Sequence, residues 1–254
     1  MQTISAVIIT QNEEANIGRC LDSLKGVADE IVVVDSGSTD KTEAICRAHD
    51  AIFIHHDWDG YASQKNYADS VATKDIILSI DADEVLSDKL KESLAAIKKS
   101  EAATECVYSV NRLNNYCGRW VRHCGWYPDS HVRVWRRGFA HWDGLIHESL
   151  VYTNQPRQQH LDGDLLHYSY RTVGEHLSRM SRYAPLSARK SFDEGKRCGP
   201  WAAAVKPLWT FFSMFILKGG FLDGHTGYVV CKLSATYTLV KYYTLYQLSR
   251  ENTH

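Results

Sequence analysis

Asp75-Ile76-Ile77-Leu78-Ser79-Ile80-Asp81-Ala82-Asp83-Glu84 is an apolar run that stops on two carboxylates two residues apart. A short apolar run of this kind reads as a strand buried on both faces, here over 75–80. Similar runs lie upstream at Ile4 to Thr10, Glu30 to Asp35 and Ala51 to His55. The segments between them have helical spacing. Glu13 to Leu24 places Ile17, Leu21 and Leu24 on one face, and Asp40 to Ala48 has Ser38, Thr39 and Asp40 as cap candidates. Tyr61 to Ala72 is predicted helical, as is Ser87 to Lys99 with Ser87 as its cap. Strands alternating with helices define an α/β fold with a parallel sheet covered on both faces. Ligands of such sheets sit beyond the carboxyl ends of the strands. Three polar clusters fall at such ends: Gln11-Asn12-Glu13, Asp35-Ser36-Gly37-Ser38 and Asp81-Ala82-Asp83.

The texture changes after about residue 105. Residues 106–170 are rich in aromatics, histidine and arginine, with short strand-like runs such as His131 to Trp135. Antiparallel strands joined by long loops fit this stretch. Residues 172–195 read as helix, and 200–250 are strongly apolar and aromatic. The expected division is 1–170, in halves 1–100 and 101–170, followed by an apolar helical C-terminal extension over 171–254.

The 254 residues carry 29 basic and 30 acidic side chains, a net charge of −1. That balance argues against a nucleic-acid partner, which calls for a basic excess. The seven cysteines form no CxxC pair, so a reducing compartment is the simpler expectation than a disulfide framework. Met1-Gln2-Thr3-Ile4-Ser5 runs straight into a strand with no basic leader or cleavage site, which predicts a cytoplasmic protein. His123, His131, His141 and His147 match no zinc spacing.

Asp81 and Asp83, just past a buried strand, can share a hard divalent cation, Mg2+ or Mn2+, with phosphate and water completing the shell. A solvated acidic turn capping the next helix is the alternative. The apolar strand before the pair and the two matching strand ends upstream favour the cation. Asp35 at a strand end can accept a base or ribose hydrogen bond, with Gly37 permitting a tight turn. A plain turn with a helix cap accounts for the same residues. Glu13 and Glu14 also suit a helix N-terminus. Lys65, in Gln64-Lys65-Asn66, can pair with a phosphate or lie on a solvated helix face.

Four segments, VIITQNEEANIGRCLDSL, DEIVVVDSGSTDKT, QKNYA and ILSIDADE, taken in order, resemble the family-2 glycosyltransferases of the GT-A fold. The likeness extends through Cys124-Gly125-Trp126-Tyr127-Pro128-Asp129, Ile146-His147-Glu148 and Phe221-Leu222-Asp223-Gly224 to a bacterial subgroup that includes lipopolysaccharide core β-glucosyltransferases. It departs at Arg133-Val134-Trp135, where a leucine–phenylalanine pair is expected; a change of packing rather than chemistry is the expectation there. The resemblance implies a nucleotide-sugar donor, inversion at the anomeric carbon and a metal at Asp81 and Asp83. By the same likeness Thr10, Asn12, Glu13, Asp35, Ser36 and Lys65 contact the nucleotide, and Asp81 the diphosphate. Trp126 and Asp129 face the acceptor side, with Trp126 equally suited to the core.

Inversion requires a base facing the acceptor hydroxyl. Glu148 matches the place of the base in the resembled subgroup, His147 orients it or contacts a phosphate, and Asp129 is the reserve. The donor implied is a UDP-sugar, UDP-glucose or a near relative; the acceptor is a hydroxyl of a lipid-linked saccharide such as the lipopolysaccharide core. Leu208 to Leu217, bracketed by Lys206-Pro207 and Lys218, is ten residues long. That is short of the ~20 needed to cross a bilayer, so the expectation is an interfacial helix at the inner face of the cytoplasmic membrane. A buried C-terminal helix is the alternative. Two other functions remain open at this point: transfer to a polyprenyl phosphate, and a catalytically silent nucleotide- or glycan-binding scaffold. A nicotinamide enzyme is disfavoured, because Gln-Asn-Glu-Glu follows the first strand instead of a glycine fingerprint.

Overall fold

The computed structural model describes residues 1–100, 106–144 and 149–251. In chain order the elements are β1 (Ile4–Thr10), α1 (Ile17–Leu24), β2 (Glu30–Asp35), α2 (Thr42–Ala48), β3 (Ile52–His55), α3 (Tyr61–Val71), β4 (Ile76–Ser79), β5 (Glu84–Leu86) and α4 (Asp88–Lys99). There follow β6 (Cys106–Tyr116), β7 (Arg119–Val121), β8 (Ser130–Arg136), β9 (Ala140–Asp143), β10 (Ser149–Tyr152) and β11 (Arg157–Tyr170). The chain continues through α5 (Val173–Asp193), α6 (Pro200–Phe212) with a π-helical extension Ser213–Leu217, a 3-10 turn Gly220–Asp223, and α7 (Gly224–Glu251). Two compact units form: Met1–Arg112 with Asp129–Tyr168, and Leu113–Pro128 with Ser169 onward. Residues 113–128, counted with the first 170 in the sequence reading, therefore group with the helices.

In the first unit the strand order is β3-β2-β1-β4-β8-β6-β11-β5. β3, β2, β1 and β4 are parallel, and β8 joins β4 antiparallel. The sheet is thus parallel only in its first half. Side chains alternate across it, as strand geometry requires. Ile4, Ala6 and Ile8 enter a core with Leu21, Leu24, Leu90 and Leu94, while Val7, Val32, Val34 and Ile77 pack with Ala68 of α3 and Ala72 just after it. Both faces being covered explains why these strands read as unbroken apolar runs.

Two helices start later than the sequence suggests, for one reason. The polar residues before them are used to tie two loops together. The Glu13 and Glu14 amides donate to Thr42 Oγ1 and Asp40 Oδ2 at 2.9 and 3.0 Å, so α1 begins only at Ile17. Asp40 Oδ1 accepts from the Thr42 amide at 2.9 Å, and α2 begins there. Ser87 caps α4 as expected, accepting from the Leu90 amide. A short strand that the sequence reading missed, β5, separates the paired aspartates from that helix. β5 pairs antiparallel with β11, His167 opposite Glu84. Gly163 lets β11 pass close to the start of α4: its φ is +101°, and a Cβ there would meet the Leu90 amide nitrogen at 2.3 Å.

Asp69 lies one turn after Lys65 on α3, and neither of its carboxyl oxygens has a hydrogen-bond partner. Burial pushes its pKa up to about 7, with Lys65 opposing only in part. A carboxyl whose folded pKa is raised binds more protons folded than unfolded, so its contribution to stability falls as pH rises from its unfolded value through 7. Asp69→Asn is expected to match the parent near pH 4 and exceed it at pH 8 by about 3 kcal/mol, read from urea midpoints at the two pH values.

In the second unit β7 pairs with the end of β6, Asn115 opposite Trp120. Asp223 fastens the 3-10 turn to this hairpin, accepting from the His123 amide and pairing with His123 Nδ1, both at 2.8 Å. Tyr116, Trp126, Tyr170 and His176 form a ring cluster, with Tyr170 and His176 stacked at 4.4 Å. Trp126 is thus a packed member of this unit. α6 and its extension pack on α7 through Phe211, Met214 and Phe215 against Val229, Val230 and Leu233. The helical stretch runs through Pro207, 18 residues from Pro200 to Leu217. Taking Lys206-Pro207 as its start, as the sequence reading did, undercounts it, because Pro207 sits within the helix.

Candidate active site

Parallel pairing of β1 with both β2 and β4 brings three carboxyl-end loops to one edge. The first two interlock. Thr10 is opposite Asp35, and the Ser36 amide donates to the Thr10 carbonyl at 3.0 Å. Asn12 has a φ of +55°, its amide donates to Ser38 Oγ at 2.7 Å, and its Oδ1 accepts from the Thr39 amide at 2.8 Å. Gln11 Nε2 reaches the Ser36 carbonyl at 3.2 Å. Glu13 Oε2 accepts from Asn16. Asp35 is buried, and its carboxylate accepts from the Gly37 and Ser38 amides at 2.9 and 2.7 Å and from the Ser38 hydroxyl. The nucleotide-side residues predicted from sequence, Thr10, Asn12, Glu13, Asp35 and Ser36, therefore stand together, with much of their polar capacity spent on holding the two loops in shape. The Thr10 hydroxyl is buried with no hydrogen-bond partner.

The third loop carries the densest charge. Asp81 Oδ2 accepts from Arg133 Nη2 at 2.9 Å, and Lys65 Nζ is 3.8 Å from Asp81 Oδ1. Arg133, on β8 and 5% exposed, also donates to the fully buried Glu84 at 2.7 Å. Glu84 in turn accepts from the Asp81 amide at 3.0 Å. Burial raises the Asp81 carboxyl pKa, but Arg133 and Lys65 outweigh it and hold the group well below the usual carboxylate range. Burial pushes Glu84 up despite Arg133, and the Asp81 charge adds to the rise. Lys65 is itself buried, its ammonium 4.4 Å from the Trp142 ring centroid; the solvated-face alternative for it is excluded. Asp83 faces another partner: His167 Nε2 is 3.1 Å from its Oδ2, and the Tyr168 amide donates to the Asp83 carbonyl at 2.9 Å.

A cleft of about 440 Å3 opens beside Asp81, lined by Lys65, Asp81, Arg112, His131, Arg133 and Trp142 among others, with Asp83 and His167 outside this lining. Asp129 is held by two residues of this lining, by Arg112 at 2.8 and 3.0 Å and by His131 Nε2 at 2.8 Å. Burial raises its pKa, but His131 and Arg112 prevail and set it to about 2. A carboxylate already paired with a guanidinium and an imidazole is a poor proton acceptor, which weighs against Asp129 as the reserve base. Glu148 and His147 lie outside the described residues.

Sequence reasoning missed Arg133, Glu84 and His167 as site residues. Val134 and Trp135 of the departing triplet are buried in the two cores, Trp135 against Trp142 at 5.8 Å, but Arg133 stands in the charged cluster. An arginine between Val132 and Val134 in a short strand was the available signal. His167 gave none, being one histidine of 12. Arg133→Met should leave the fully buried Glu84 and the partly exposed Asp81 without their shared cation and destabilise the fold by about 3 kcal/mol. Urea denaturation checks this, and adding Glu84→Gln to the variant should recover part of the loss.

An open sheet whose first half is parallel, with carboxylates at the carboxyl ends of its strands and Lys65 of α3 beside Asp81, is the GT-A fold of glycosyltransferases. The model of glycosyl transferase family 2 matches residues 5–150. The chain belongs to that family. It is 31% identical over 238 residues to an uncharacterized glycosyltransferase of Rickettsia typhi, covering 90% of this chain and 82% of that one. It is 31% identical over 257 residues to the lipopolysaccharide core biosynthesis glycosyltransferase LpsC of Rhizobium meliloti, covering 96% and 92% of the two. A solved structure of glucosyl-3-phosphoglycerate synthase from Mycobacterium tuberculosis aligns at 26% identity over 45% of this chain and 44% of its own, with a TM-score of 0.35, too loose to bear on ligand or mechanism.

Proposed function

We propose that this glycosyltransferase is inverting and metal-dependent, moving a hexose from a UDP-sugar to a hydroxyl of a lipid-linked saccharide such as the lipopolysaccharide core. The observation that carries this reading is the setting of Asp81 and Asp83: one aspartate fixed by Arg133 and Lys65, the other beside His167, at the carboxyl edge of the parallel strands. A carboxylate and an imidazole side by side suit Mn2+, and Mg2+ through the carboxylate, with phosphate and water oxygens filling the remaining positions. Asp83 and His167 would hold the ion directly, and Asp81 would act beside it. The ion, when bound, neutralises the charge that develops on the departing diphosphate. Lys65 and Arg133 add fixed positive charge at the same place, where a desolvated setting strengthens it.

Glu148 takes the acceptor proton as the acceptor oxygen bonds to the anomeric carbon and the carbon–oxygen bond to the diphosphate breaks. The electron pair leaves with UDP, and attack from the opposite face inverts the centre. The relation to LpsC supports the acceptor class, and the exposed apolar C-terminal helix supports work at the inner face of a bacterial cytoplasmic membrane. A panel of α-linked UDP-sugars with manganese and a deacylated core oligosaccharide tests the reading. The expected product is a β-glycoside from one preferred donor, read from the anomeric proton coupling; an α-glycoside, or no transfer from any donor, overturns it.

A further inference from the structure

The outward face of α6 inverts the usual pattern of a surface helix. Trp201, Val205, Leu208, Trp209, Phe212 and Ile216 recur at helical spacing, and all face solvent, from 45% exposed at Phe212 to 82% at Trp201. The opposite face, with Ala203, Pro207, Phe211 and Met214, is the one packed on the protein. Leu217, Phe221 and Leu222 continue the exposed apolar surface through the following turn. A contiguous patch of this kind marks an interaction surface. Charge indicates what covers it. Residues 171–254 hold 12 of the chain's 29 Lys and Arg but only 5 of its 30 Asp and Glu, in a protein whose overall charge is −1. A protein partner demands no such surplus; an anionic bilayer attracts it, at about 1 kcal/mol per basic residue near the surface.

We propose that this face seats in an anionic lipid bilayer, with α6 lying in the plane of the interface and not across it. At ~1.5 Å per residue the stretch Pro200–Leu217 approaches the ~30 Å of a hydrocarbon core. Its inner side, however, is bound along its length to α7, which carries Lys232, Lys241 and Arg250. Crossing would drag those charges into lipid at about 3 kcal/mol each. In plane, the apolar stripe is immersed while Lys206, whose ammonium sits 3.9 Å from the Tyr242 ring, and the exposed Lys218 stay at headgroup level. Trp201 and Trp209 suit the same boundary. The surface gives a purpose to the lipid-borne acceptor of the reading above, but its evidence is independent of it.

The test uses the full chain, parent and Leu208→Ser/Trp209→Ser, with vesicles of phosphatidylethanolamine and phosphatidylglycerol and with pure phosphatidylcholine vesicles. The parent should sediment with the anionic vesicles, bind the neutral ones at least tenfold more weakly, and be released by alkaline carbonate. The double variant should bind the anionic vesicles ~100-fold more weakly. It should keep the parent's melting temperature and its UDP binding, so failure of the surface is separable from failure of the active-site reading. Unchanged vesicle binding in the variant, retention after carbonate, or a dimer in sedimentation velocity that the variant converts to monomer would overturn the proposal.

Discussion

Asp83→Ala should lower kcat/KM for transfer by about a thousandfold or more while leaving the fold intact. Its carboxylate lies beside His167 at 3.1 Å, whereas Asp81 is hydrogen-bonded to Arg133 at 2.9 Å. Charge stabilisation by a bound ion contributes several kcal/mol to a transition state, and about 4 kcal/mol corresponds to a factor of 10^3. Loss of the ion should appear in donor binding as well as in turnover, since the phosphates share it. His167→Ala should fall between parent and Asp83→Ala. Steady-state kinetics over a manganese titration measures both, and a kcat/KM for Asp83→Ala within tenfold of the parent would dismiss the role.

Glu148→Gln should reduce kcat by about 10^2 to 10^4-fold with donor binding unchanged. Glutamine preserves size and polarity but accepts no proton, so the acceptor hydroxyl must attack without help. The split between kcat and donor affinity separates this from the Asp83 effect. Full turnover in Glu148→Gln would instead favour an acceptor already ionised, such as a polyprenyl phosphate, for which a base is superfluous. Asp129 is a poor substitute in either case, since its carboxylate is paired with Arg112 and His131.

Much of the fold was legible because the relevant signals are local. β1 and β2 occur over the residues their apolar runs mark, and Ser87 caps α4 where its hydroxyl suggests. The late starts of α1 and α2 were not legible. Glu13, Asp40 and Thr42 look like the beginnings of helices, yet their polar groups go to a neighbouring loop, a choice set by the parallel pairing of β1 and β2. β5 is three residues long, too short to carry a periodicity. The site divides the same way. Asp35, Lys65, Asp81 and Asp83 sit at the ends or faces of elements read from sequence. Arg133 and His167 reach the aspartates only because β8 and β11 return antiparallel from far along the chain, 52 and 84 positions away. No spacing rule connects them. The exposed apolar stripe of α6 shows the opposite case: its composition was plain, but which residues face outward depends on where α7 packs.

If Asp83 and His167 hold the ion that binds the sugar diphosphate, UDP affinity must depend on manganese through Asp83. Calorimetric titration of UDP into the parent and Asp83→Ala, each with manganese and with chelator, tests it most directly. Removing manganese should weaken UDP binding to the parent at least tenfold, and Asp83→Ala should bind UDP at that weakened level whether or not manganese is present. Equal affinity in all four titrations of folded protein would contradict it.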